Sequence, residues 1–266
     1  MIPELFRIGS FPISPFGVTM VLAFLAAYFQ LRWGLRALEI GDEEDASMLI
    51  FAGGFGGIAG AKLYYAALYH DWRLLFDRSG LVWYGGFVLA LAAMLWVVRR
   101  RRLPVWRTLD AATPALALGY GIGRIGCFLV GDDYGVPTDL PWGVRFAHGL
   151  PPTTAGNLRT QFGVDVPAGV PDGQLLAVHP TQLYETALAL VIWGVGVAMV
   201  RRRAAPAATA LTVIGLLAVE RFGIELLRAK DDRFFHGLTL AQLISVAVVI
   251  AVVTLAAVRR RRTAAA

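Results

Sequence analysis

Arg124 and Arg221 each lie inside a long apolar stretch with carboxylates close by in sequence, an arrangement that costs free energy in a membrane unless the charge is paired or used. Around the first, the run GIGRIGCFLVGDDYG sets Arg124, Cys127, Gly131 and, less closely, Asp132 along one side at helical spacing. Around the second, Glu220 precedes Arg221, and Arg221, Glu225 and Arg228 share a face at i, i+4 and i+7. A third polar segment, HPTQLYE over residues 179–185, has Pro180 at a natural first-turn position and Gln182 and Glu185 one turn apart. Lys62 lies within another apolar stretch, with Tyr64, Tyr65 and Tyr69 toward its end.

Guanidinium forks match phosphate oxygens in a bidentate way, and a lipid headgroup is the phosphate most available at the edge of a bilayer. Arg124 and Arg221 are therefore expected to bind a phospholipid phosphate. Gly123 and its neighbouring glycines either admit a headgroup to the backbone or serve helix packing. Glu185 and Glu225 are expected to pair with Arg221, Arg228 or Lys62 and fix helix register. Cys127 reads as a small packing residue, His179 as a helix-start residue, and His148 and His236 as surface groups.

The elements that must carry these residues are membrane spans. Apolar stretches of spanning length lie near 16–33, 47–69, 81–98, 108–130, 180–200, 207–228 and 237–258, which predicts about seven transmembrane helices. Basic clusters follow the odd-numbered ones: Arg32 and Arg36, Arg99 to Arg102, Arg201 to Arg203, and Arg259 to Arg262. With basic ends facing the cytoplasm, the N-terminus is expected outside and the C-terminus inside. The segment near 131–178, rich in Gly, Pro, Asp and Thr, then forms a small external head between the fourth and fifth spans. Glycines 53, 54, 56, 57 and 60 in the second span, and 119, 123 and 126 in the fourth, predict close helix packing, and Pro114 a kink. The expected fold class is all-α, a single polytopic membrane domain over 1–266.

Composition agrees. The chain is 57% hydrophobic and only 17% charged, too apolar for a soluble domain. Its net charge of +6 sits in runs directly after apolar stretches, so it signals topology and no nucleic acid is expected as a partner. One cysteine and four scattered histidines leave no structural metal or disulfide to expect, and no cofactor motif is present. The first span lacks a basic n-region and a small-residue cleavage pattern, so it is expected to stay in the protein.

Taken together the residues resemble the prolipoprotein diacylglyceryl transferases of the bacterial inner membrane. The likeness rests on Tyr84-Gly85-Gly86, on Gly123-Arg124 followed by Phe128 and Gly131, on TDLPWGVRF from Thr138 to Phe146, on HPTQLYE, and on Arg221, Glu225 and Arg228. It implies an inner-membrane enzyme, N-terminus and head in the periplasm. It implies transfer of the diacylglyceryl group of phosphatidylglycerol to the lipobox cysteine thiol of a preprolipoprotein, with release of glycerol phosphate and no cofactor or metal. Arg124, Arg221, Tyr84 and Asp132 become the implied catalytic residues. Gly123, Gly131, Gln182, Glu185, Glu225 and Arg228 become the implied substrate-binding set for the lipid and the signal peptide. The chain departs from the commoner family pattern at three positions: Tyr84 stands where many members have histidine, Cys127 where asparagine is usual, and Asp132 where glutamate is usual. The alternative reading is an altered paralogue that binds phospholipid or signal peptide as an accessory membrane protein.

Overall fold

The computed structural model of the chain describes residues 4–9, 11–76, 82–230, 233–235 and 237–264. His236 and parts of the two connections near 70–80 and 229–236 lie outside the described residues.

Long helices dominate: α1 (Pro15–Ala37), α2 (Glu43–Leu68), α3 (Trp83–Arg100), α4 (Val105–Val130), α6 (Thr181–Arg201), α7 (Ala208–Glu225) and α8 (Leu240–Ala264), with the short α5 (Ala155–Phe162) between α4 and α6. Two small antiparallel hairpins complete the secondary structure, β1 (Phe6–Ile8) with β2 (Phe11–Ile13) and β3 (Arg233–Phe235) with β4 (Leu238–Thr239). The fold is all-α and polytopic. Five of the long helices, α1, α2, α4, α6 and α8, are long and apolar enough to cross a bilayer. The other two carry charge: α7 holds Glu220, Arg221 and Glu225, and α3 ends in Arg99 and Arg100.

Helix boundaries follow local chemistry. Ser14 caps α1 by accepting from the Gly17 amide at 3.1 Å, with Pro15 in the first helical position where its missing N–H is no loss. Asp42 and Asp45 form a capping box at the start of α2, each side chain accepting from the other's backbone amide. Asp110 on α4 caps a different helix, accepting from the Ala207 and Ala210 amides of α7, both at 2.9 Å. Many large side chains stand exposed on the outward faces, among them Phe51, Phe55, Val88, Val191 and Val253, as expected where the surrounding medium is itself apolar.

The helices pack α2 against α3, α1 against α4, α4 against α6, and α7 against α8, with α4 also touching α7. Leu31, Leu35, Leu49, Val97, Val98 and Leu103 form a core at the end where α1 and α3 finish. The basic clusters gather at that same end, where Arg101 pairs with Asp45 at 2.6 Å, Arg203 pairs with Glu39, and Arg107 donates to the Ala204 carbonyl at 2.6 Å.

The glycines of α2 act through backbone contact. A Cβ on Gly60 would lie 2.2 Å from the Gly85 carbonyl oxygen of α3, whereas one on Gly57 would meet nothing within 4 Å. Gly60→Val should therefore push α3 away and cost about 3 kcal/mol or more, while Gly57→Ala should be neutral or slightly stabilising. Thermal unfolding of the two variants in detergent checks this pair; equal midpoints would contradict the contact.

Candidate functional site

The arginine-bearing ends of α4 and α7 meet the start of α6. Gly131 ends α4 in the left-handed region, at φ 74°, where a side chain would be strained, and its carbonyl accepts from the Leu150 amide at 2.9 Å. The turn it creates is held by α6: Thr181 Oγ1 donates to the Asp133 carbonyl at 2.8 Å, and Gln182 Nε2 donates to the Asp132 carbonyl at 2.5 Å. One turn on, Thr186 Oγ1 donates to the Gly121 carbonyl at 3.1 Å. The polar residues opening α6 thus fix the backbone that follows Arg124.

Residues 131–180 form a packed unit over this junction. Tyr134, Phe146, Ala155, Leu158, Val166 and Val178 make its core, joined by Ala229 from beyond α7. Tyr134 stacks on Phe146 with ring centres 5.5 Å apart and donates its hydroxyl to the Pro151 carbonyl at 2.8 Å. Arg159 of α5 ties down the loop after it, donating to the Val166, Pro167 and Val170 carbonyls and pairing with Asp172. Trp142, from the Thr138–Phe146 motif, donates to Tyr184 Oη on α6 at 2.7 Å, and His179 Nδ1 lies 3.3 Å from the same oxygen. Burial lowers the pKa of His179, which leaves it neutral at pH 7.

At the junction, Glu185 of α6 is fully buried and is the meeting point of the charges. Its Oε1 accepts from Tyr120 Oη at 2.8 Å, pairs with Arg124 Nη2 at 3.0 Å and faces Arg221 Nη1 at 3.9 Å. Arg124 reaches Asp133 through Nη1 at 2.8 Å, and its guanidinium sits 5.3 Å over the Tyr120 ring. Arg221 Nη2 lies 2.7 Å from Glu225 Oε2, an ion pair without hydrogen-bond alignment, since neither Glu225 oxygen has a hydrogen-bond donor. Arg228 pairs with Asp133. Asp133 is the hinge of this outer pair. Burial opposes its ionisation, but Arg228 and Arg124 outweigh that and hold its carboxyl below the usual range. Asp132 next to it is displaced the other way, by burial and by the neighbouring Asp133 charge.

Several buried polar atoms here have no hydrogen-bond partner: Arg124 Nε, Asp132 Oδ1, Gln182 Oε1, Glu185 Oε2, Glu220 Oε1, Arg221 Nη1 and Arg228 Nε. Buried polar groups are normally satisfied, so their concentration at one place makes this junction the candidate site. A groove of about 480 Å³ opens beside it, lined by Met20, Phe24, Leu49, Gly53, Met94 and Gly119 and ending at Tyr120, Gly123, Arg124 and Cys127. Gly123 faces this space, with Met20 Sδ at 4.0 Å as the nearest neighbour of a would-be Cβ. The groove is apolar along its length and cationic at its end.

Cys127, Asp132 and Asp133 carry donor atoms within 4.8 Å of one another. Two guanidiniums already engage Asp133, so the trio is a salt-bridged corner rather than a cation site.

Among the residues singled out from sequence, Arg124, Arg221, Glu185, Glu225 and Arg228 are brought into one network, with Asp132, Gly131 and Gln182 at its edge. Tyr84 stands half exposed in the first turn of α3, a helix whose packing is chiefly on α2. The pairing expected for Glu185 and Glu225 is supplied by Arg221, with Arg124 as a further partner of Glu185. Two participants escaped sequence reasoning. Asp133 could have been found from its place beside Asp132, and Tyr120 from its spacing of one turn before Arg124.

The sequence profile described as prolipoprotein diacylglyceryl transferase matches residues 3–258. Similar proteins named phosphatidylglycerol–prolipoprotein diacylglyceryl transferase include one from Methylobacillus flagellatus, 31% identical over 98% of this chain and 97% of its own length. Another, from Geobacter sulfurreducens, is 30% identical over 91% of this chain and 95% of its own. A third, from Chromohalobacter salexigens, is 30% identical over 98% of this chain and 93% of its own. A match of this extent, covering the arginine network, the unit above it and the helices that hold both, makes the chain a member of the prolipoprotein diacylglyceryl transferase family.

Proposed function

We propose that the chain transfers the diacylglyceryl group of phosphatidylglycerol to the lipobox cysteine thiol of a preprolipoprotein in the bacterial inner membrane. The observation that carries this reading is the pair Arg124 and Arg221, both directed at Glu185 Oε1, with Arg124 at the end of an apolar groove. Acyl chains fit the groove and the phosphate fits its cationic end.

In the reaction the thiolate sulfur attacks a glyceryl carbon, the carbon–oxygen bond to phosphate breaks, and glycerol phosphate leaves. The leaving group gains negative charge as it separates, so Arg124 and Arg221 act where charge develops. Glu185 fixes both guanidiniums and Tyr120 fixes Glu185, which keeps the donors in place without reorganisation. Gln182 and Thr181 serve by holding the backbone of Asp132 and Asp133, and Arg228 by holding Asp133.

All seven long helices span the membrane in this reading, α3 and α7 included. The end bearing Arg99 to Arg102 and Arg201 to Arg203 faces the cytoplasm, the N-terminus lies outside, and residues 131–178 form a periplasmic head. Cysteines introduced beside either basic cluster should then resist an impermeant external thiol reagent in intact cells; labelling there would reverse the topology.

The second reading, an accessory protein that binds lipid or signal peptide without turnover, is favoured by one observation. Tyr84 stands where many family members have histidine, and Cys127 and Asp132 are further departures. The experiment that separates the two is conversion of radiolabelled phosphatidylglycerol and a lipobox peptide to the thioether product by the purified protein in detergent. Turnover supports the transferase; lipid binding without turnover supports the accessory protein.

A further inference from the structure

The transfer reaction must remove a proton from the substrate thiol, and Tyr84, half exposed on α3, carries a hydroxyl that is a poor base near neutral pH. Among the carboxyl groups of that network, Glu185, Glu225 and Asp133 each face guanidiniums that already engage them, and Asp132, whose Oδ1 is also unpartnered, lies at its edge beside Cys127 and the Asp133 carboxylate. Glu220 differs. It lies on α7 directly before Arg221, is only 7% exposed, and its Oε1 has no hydrogen-bond partner. Among the described residues no ion pair holds it, yet it is buried on α7, a helix that packs on α4 and α6 as well as α8, and the charges of Glu185, Arg124 and Arg221 act on it. A buried carboxyl oxygen without a partner is costly, and the valines and leucines around it on α7 show what packing alone would select. Its position directly before Arg221, buried and with an unpartnered oxygen, gives it the place of a proton acceptor.

We propose that Glu220 takes the proton of the substrate thiol, an inference that rests on the transferase reading above. The S–H bond breaks with its proton passing to Glu220 Oε1. The sulfur forms a bond to the glyceryl carbon, and the carbon–oxygen bond breaks with its electron pair going to the phosphate oxygen. The proton on Glu220 then passes to the departing glycerol phosphate, which leaves as the monoanion and restores the carboxylate. No other reactant is needed. The three arginines stay charged throughout, so the cluster returns to its starting charge.

The test compares the parent with Glu220→Gln and Glu220→Asp in the detergent assay, at saturating phosphatidylglycerol and lipobox peptide, across pH 6.5 to 8.5. Glutamine preserves size and should lower kcat about 100-fold or more near neutral pH, with KM for the lipid little changed. Because a free thiol ionises near pKa ~8.5, the Glu220→Gln rate should climb roughly tenfold per pH unit toward that value, while the parent rises far less. Aspartate, one methylene shorter, should recover part of the rate, which a purely structural role would not predict. Parent-like turnover by Glu220→Gln, or a deficit that stays the same at every pH, overturns the proposal. An inactive parent overturns the transferase reading itself and this inference with it, so the two failures are told apart by the parent alone.

Discussion

Alanine at Arg124 or at Arg221 should lower diacylglyceryl transfer at least about a thousandfold while the protein still inserts and folds. The two guanidiniums meet the same oxygen of Glu185, and each also contacts a second carboxylate, Asp133 for Arg124 and Glu225 for Arg221. Side-chain exposure is low, 13% for Arg124 and 25% for Arg221, so their charges act in a poorly screened setting. Lysine at either position should rescue poorly. It keeps the charge but loses the planar fork, so it cannot hold Glu185 or Asp133 and a phosphate oxygen at once. The measurement is product formation from radiolabelled phosphatidylglycerol, with parent and variants matched by gel-filtration profile and thermal midpoint. Well-folded alanine variants that turn over like the parent would remove the arginines from the chemistry.

How much of this was legible in the sequence differs by element. The long helices lie where the apolar stretches predict them, because a segment surrounded by lipid must satisfy its backbone within itself and advertises this by unbroken hydropathy. Helix α7 is harder to read, since its apolar run is broken by Glu220, Arg221 and Glu225. The glycine pattern in α2 predicted a close contact but could not name its partner. The partner is α3, and the contact runs between Gly60 and Gly85, which places part of the Tyr84-Gly85-Gly86 motif in helix packing.

The site was legible as a set of residues and not as a network. Spacing along one helix showed that Arg221 and Glu225 could pair, and they do. It could not show that Glu185 of α6 would collect both arginines, because that depends on how three helices meet. Nor could spacing separate Gln182, which holds backbone at the end of α4, from a residue that touches substrate. Asp133 was passed over for Asp132 because the family comparison drew attention to the substituted position, whereas the left-handed turn at Gly131 brings Asp133 onto Arg124.

The second large effect is expected at Glu185. It is fully buried, and its Oε1 receives Tyr120 and both arginines, so no side chain of the junction has more depending on it. Removing one partner of a buried ion pair leaves the other charge uncompensated, which costs about 3–5 kcal/mol. Glu185→Ala should therefore lower the thermal midpoint in detergent by several degrees and release Arg124 toward Asp133, its remaining anionic partner. Transfer should fall about 100-fold or more, because Arg221 loses the carboxylate that aligns it with Arg124. Glu185→Gln separates the two effects. The amide keeps the volume and an acceptor for Tyr120 but lacks the charge, so it should recover more stability than activity. A double-mutant cycle of Glu185→Gln with Arg124→Lys should then give strongly non-additive losses in stability, since both changes act on one contact. Additive losses, or an alanine variant with the parent's midpoint and rate, would show that Glu185 does not organise the site.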